Sequence, residues 1–183
     1  MTFELNGKNL GWISFILFCS MVPLSNYLVS NVGTVCIPNG PCLLPVGFGY
    51  DTASGVLAAG LAFVLRDLTH RYLGLTFSIY AICIGALLSW LFSPPALVIA
   101  SVVAFLVAEL IDTAVYTPLI KKGLIVAAVG SSLVGMAVDS FLFLQIAFGS
   151  QKYIVGQLIA KTYMIALAVI FLKLIESKLP KAE

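Results

Sequence analysis

Residues 96–116 read ALVIASVVAFLVAELIDTAVY, an apolar run that carries two carboxylates, Glu109 and Asp112, toward its C-terminal end. At about 1.5 Å per helical residue, a helix of this length spans roughly 30 Å, the thickness of a bilayer's hydrocarbon core. A charged side chain at that depth costs at least ~2.5–3.5 kcal/mol on insertion scales. Acids in such a run therefore point to a membrane helix whose charged face is turned toward protein. The whole chain supports this reading. Hydrophobic residues make up 61% and charged residues 10% of the 183 positions, and mean hydropathy is +1.08. Soluble domains carry roughly 45–50% apolar and about 25% charged residues, so that class is excluded.

Five further apolar runs cover residues 10–29, 52–72, 75–92, 124–148 and 153–175. Between them lie helix-breaking residues, among them Pro38, Gly40, Pro41 and Pro45, then Gly74, Pro94 and Pro95, Pro118 and Gly123, and Gly149. The expected fold is an all-α membrane protein of six transmembrane helices, one domain over residues 1–183. Too few residues remain for a separate soluble domain. The first run lacks a small-residue cleavage pattern and reads as a retained helix.

Lysine and arginine set the orientation. Lys8, Arg66, Arg71, Lys121, Lys122, Lys173, Lys178 and Lys181 fall on one side of the six-helix arrangement, and only Lys152 falls in the opposite loops. Positive residues accumulate on the cytoplasmic side, so both termini are expected inside, in a bacterial-type inner membrane. Three plus three helices would allow two inverted halves, although no sequence match links them.

Cys19 and Cys83 lie within apolar runs and read as helix-packing residues. Cys36 and Cys42 flank Ile-Pro-Asn-Gly-Pro in a polar loop placed outside, where a disulfide can form. That loop has too few ligands for zinc. There is no nucleotide-binding loop and no basic stripe, so no cofactor, metal or nucleic-acid partner is expected. The Gly-x-Gly-Asp arrangement of intramembrane aspartyl proteases is absent, and His70 is the only histidine. An enzyme is not expected.

The informative residues are ionisable groups inside the spans: Arg66, Asp67, Glu109, Asp112, Asp139 and Lys161. Asn26, Gln145 and Gln157 add uncharged polarity. Counted from the outer ends of their helices, Asp139 and Lys161 lie about 14 and 12 Å deep, so they are expected to meet. That meeting has two readings, a structural ion pair or a pair that binds substrate or exchanges protons. Glu109, Asp112 and Tyr116 follow i, i+3 and i+7 spacing and share one helix face. For Arg66, Arg71 and His70 the plainer reading is snorkelling with local pairing. Two cations against four carboxylates leave some acid to be protonated, paired with Arg71, or offered to a ligand.

At these residues the chain resembles the vitamin uptake transporter family, the queuosine-precursor transporters. The resemblance is carried by Arg66 through Gly74, by Ala104 and Phe105 with Glu109, Asp112 and Tyr116, and by Val138-Asp139-Ser140 with Ile146-Ala147-Phe148. Ser25-Asn26-Tyr27 and Lys161 also fall where the family has them. Residues 31–50, with the Cys36/Cys42 pair, match no family pattern. The resemblance implies import of a 7-deazaguanine such as preQ0 or preQ1, and the surplus of buried carboxylates makes proton coupling one option. A deazaguanine presents N1–H and a 2-amino group on one edge, which a carboxylate accepts in a bidentate, charge-assisted bond. The substrate-binding candidates are Asn26, Asp67, Phe105, Glu109, Asp112, Tyr116, Asp139, Gln145 and Lys161, with aromatic walls from residues such as Phe63, Phe105, Tyr116 or Phe141. The expected partners are a nucleobase-like small molecule and the lipid bilayer, and a homodimer is one option for the assembly. The alternative is a substrate-capturing subunit of an ATP-driven vitamin importer. Such a subunit would dock its energising partner through small residues, for which Ala58, Ala59 and Ala62 are candidates.

Overall fold

The computed structural model describes residues 6–38 and 40–175; the expected cytoplasmic cations Lys178 and Lys181 lie outside them. Its framework is six long helices: α1 (Gly7–Asn31), α2 (Val56–Leu73), α3 (Leu75–Phe92), α4 (Val98–Leu119), α5 (Leu124–Phe148) and α6 (Ile154–Ile175). Five of them, all but α2, are long and apolar enough to cross a membrane. Helix α2 carries Arg66, Asp67 and Arg71 within 18 residues. It is also the helix that packs against all five others. Placed at the centre, α2 keeps these charges away from lipid, so the most polar long helix is the one with the most protein around it.

The chain is not purely helical. Between α1 and α2, a small antiparallel sheet is ordered β1 (Val35–Cys36), β2 (Cys42–Pro45), β3 (Asp51–Ala53). Cys36 and Cys42 are directly opposed in the β1–β2 register and form a disulfide. The sequence reading starts the second helix at residue 52, whereas α2 starts at Val56. Thr52 and Ala53 pair with β2 instead. Ser54 turns the chain by donating its amide to the Cys42 carbonyl and its hydroxyl to Leu28. Small apolar residues can belong to either kind of element, and here tertiary pairing decides.

Two glycines bring the helices close enough to build a site. A Cβ at Gly60 of α2 would lie 3.0 Å from the Lys161 Cα of α6. One at Gly135 of α5 would lie 2.8 Å from the Phe63 ring and 2.9 Å from the Asp112 Cβ. Small residues are what permit such helix crossings in membranes. The main apolar core joins α2, α4, α5 and α6 through Phe63, Val64, Ala108, Met136 and Ile165. Cys19 is half-buried in α1 and packs beside Phe18. Cys83 is exposed on the outside of α3, so it does not serve helix packing as expected. It lies on a helix with only one buried stripe, along Ser78, Ala81, Ile82, Gly85 and Ser89.

Candidate functional site

All six helices contribute to the wall of a cavity of about 100 Å³, α3 through Ser89. On this measure a water needs roughly 10–15 Å³, so the space suits a small organic solute. Most of its wall is apolar, with Val22, Val29, Val56, Phe63, Phe105 and Phe143 contributing side chains. Ala53 and Gly55 roof it at the sheet end. The roof is fastened to α1, where Ser25 donates its hydroxyl to the Gly55 carbonyl at 2.8 Å. It is also fastened to α6, where Tyr163 donates its hydroxyl to Val46 at 3.2 Å.

Against this apolar wall stand a few convergent polar groups. Lys161, fully buried on α6, pairs with Asp139 of α5 and donates to the Ser140 hydroxyl at 2.8 Å. The Asp139 side chain retains 18% exposure, so one end of this pair is open. Glu109 of α4 lines the cavity from a different helix. Asn26 of α1 also lines it, with its amide donating to the Val22 carbonyl at 3.1 Å and its carbonyl accepting from Ser93 at 3.0 Å. Pro23 lies inside α1 next to this position; lacking an N–H, it leaves the Cys19 carbonyl without its usual helical donor. Gln157, nearly fully buried, completes the polar lining.

Behind Glu109 lies a second, enclosed cluster. Arg66 donates from Nε to Glu109 Oε2 at 3.2 Å, contacts Asp67 at 3.0 Å through Nη2, and pairs with Asp112. Arg66, Asp67 and Asp112 have no solvent exposure, and Glu109 has 2%. Arg66 thus does not snorkel. The buried acids of α4 and α2 hold it inside, with its guanidinium 5.6 Å from the centre of the Tyr116 ring. Asp67 accepts a hydrogen bond from Ser131 of α5 at 3.2 Å. His70 packs against Tyr116 with ring centres 5.0 Å apart.

The sequence-derived candidates therefore divide three ways. Asn26, Phe105, Glu109, Asp139 and Lys161 share the cavity. Asp67, Asp112 and Tyr116 are buried behind it, around Arg66. Gln145 is exposed and accepts from the Gln151 side chain at 3.1 Å. Among the aromatic candidates, Phe63 and Phe105 line the cavity and Phe141 is exposed at 51%. The lining also includes Phe143 and Ser89, which sequence spacing did not single out. Ala58 and Ala62 are buried within the bundle, and Ala59 and Ala62 line the cavity, so this stripe is not an outward docking surface.

Residues 89–175 match the model of a family described as "Putative vitamin uptake transporter". The matched stretch holds Glu109, Asp112, Asp139 and Lys161; Asn26 and Arg66 lie before it. It suggests a membrane transporter, and the five apolar helices agree with a multi-pass membrane protein. No curated protein and no solved structure matches the chain.

Proposed function

We propose that this chain, which the match over residues 89–175 assigns to the vitamin uptake transporter family, imports a 7-deazaguanine queuosine precursor, preQ0 or preQ1, across the inner membrane. The observation that carries the reading is the cavity, in which a carboxylate, a second carboxylate paired with a lysine, and an amide converge on an apolar, aromatic-walled space. A flat heterocycle with a donor edge fits that chemistry: Glu109 accepts N1–H and the 2-amino group, as a carboxylate does bidentately. Phe105 and Phe63 offer ring faces for stacking, and Asn26, Gln157 or Lys161 answer the acceptor atoms. Gln145 takes no part in this arrangement, and Asp67, Asp112 and Tyr116 act from behind it.

All six helices span the membrane in this reading, α2 at the centre, with both termini on the cytoplasmic side. Arg71, Lys121 and Lys122 then share that side, and the disulfide-linked sheet faces outward. The inward burial of the alanine stripe on α2 favours a carrier working alone over a subunit of an ATP-driven importer.

The test is complementation. A cell that lacks both queuosine synthesis and its own importer regains queuosine in tRNA when it expresses this chain and receives preQ0 or preQ1. No restoration with either precursor, in cells where the protein reaches the membrane, rejects the substrate.

A further inference from the structure

We propose that the Arg66 cluster is a proton-binding site whose proton travels with the substrate. The inference rests on the transporter reading above and adds its driving force. Three carboxyl groups share one guanidinium: Asp67 and Asp112 are fully buried, and Glu109 is 2% exposed where it meets the cavity. An uncompensated buried ion is penalised by several kcal/mol even after relaxation. One cation cannot offset three anions, so at least one of these carboxyl groups carries a proton.

Neighbouring groups do not change this balance. From α6, Lys161 is committed to Asp139 of α5 and to Ser140. From α2, His70 stacks on Tyr116 of α4, and Arg71 lies 5.5 Å from the centre of the Tyr72 ring. Neither makes an ion pair with the three acids among the described residues. The cluster also has spare hydrogen-bonding capacity: among the described residues, Arg66 Nη1 and the Tyr116 hydroxyl are buried there without hydrogen-bond partners. A protonated carboxyl group both donates and accepts, so the site is equipped for either protonation state.

Glu109 links this cluster to transport, because it alone of the three acids also lines the cavity. A proton on Asp67 or Asp112 relieves the demand on Arg66. Arg66 is then free to hold Glu109 ionised, the form that accepts a substrate's donor edge. Proton and substrate thus strengthen each other's binding, and linkage makes that effect reciprocal. No covalent bond is made: the proton enters from the outer side with the substrate and leaves into the cytoplasm.

Two measurements on the purified protein in lipid vesicles test this. Infrared spectroscopy near neutral pH should show a protonated-carboxyl carbonyl band that weakens in Asp112→Asn, or in Asp67→Asn should the first variant misfold. Absence of the band in the unaltered protein overturns the site, whether or not any substrate is carried. With the membrane potential clamped, an acid-outside gradient should accumulate labelled preQ0 by about tenfold per pH unit for one coupled proton. In Asp112→Asn the ratio of gradient-driven accumulation to gradient-free exchange should fall, whatever the exchange rate of the variant. Exchange without any response to the gradient in the unaltered protein overturns coupling. Lack of exchange with preQ0 and with preQ1 instead rejects the substrate, and the infrared result still decides the proton site.

Discussion

Glu109 sits with its carboxylate 3.2 Å from Arg66 Nε and at the same time on the wall of the cavity. This one side chain joins two polar regions that would otherwise be separate, an open one around Lys161 and a sealed one around Arg66. Replacing it should affect binding and assembly differently according to the substitution. Glu109→Gln keeps shape and a hydrogen-bonding oxygen but removes the charge. Labelled-precursor binding should fall at least tenfold, while the purified protein stays monodisperse.

Arg66 should be essential for folding. Its fork reaches Glu109 through Nε and Asp67 and Asp112 through Nη2. Arg66→Met leaves three acids around an apolar side chain, and breaking a buried charge pair from one side costs about 3–5 kcal/mol. A large drop in thermal stability in detergent is expected. Arg66→Lys should recover little, because an ammonium cannot match the planar fork.

The Asp139–Lys161 pair should behave as a unit. Lys161→Ala leaves Asp139 without its cation, whereas Asp139→Asn/Lys161→Ala leaves no unpaired charge. The single lysine change should therefore be less stable than the double one by about 1–3 kcal/mol, measured as a double-mutant cycle. Both forms should lose uptake if the pair contacts substrate. Normal uptake by Asp139→Asn would remove that residue from the site.

Gly60 is a packing requirement. A Cβ there meets the Lys161 backbone at 3.0 Å, so Gly60→Val should push α6 away from α2. The expected result is a loss of about 1–3 kcal/mol, typical of overpacking, together with weaker uptake because Lys161 shifts. Unchanged stability would show that the two helices separate easily.

The Cys36–Cys42 bridge closes a short loop, with a sequence separation of 6. Chain entropy assigns such a loop about 2 kcal/mol. Cys36→Ser/Cys42→Ser should lower thermal stability by up to that amount, and reductant should have the same effect on the unaltered protein and none on the variant. A changed substrate profile would connect the sheet above the cavity to selectivity.

Much of the architecture was legible because hydrocarbon imposes a strong rule on composition. Apolar runs and glycine or proline breaks located the helices to within a few residues. The 52–55 stretch was misread because Thr52, Ala53, Ser54 and Gly55 give no periodicity that separates a strand and turn from a helix start. Strands of two to four residues are too short to show alternation. Helical depth alone placed Lys161 opposite Asp139. It did not show that Arg66 turns inward, since an arginine near a helix end can equally reach out to the lipid surface. Nor did it separate Gln145 from Gln157: both are glutamines in apolar helices, but one is exposed and the other nearly fully buried.

The central position of α2 bears on how the chain is made. With Arg66, Asp67 and Arg71 in 18 residues, α2 has little affinity for lipid by itself when it leaves the ribosome. Its ionic partners Glu109 and Asp112 belong to α4, which is synthesised later. In the proposed six-span arrangement, the insertion machinery must therefore hold α2 in a sheltered, partly wet site until α4 emerges, and the helices enter the bilayer as a group.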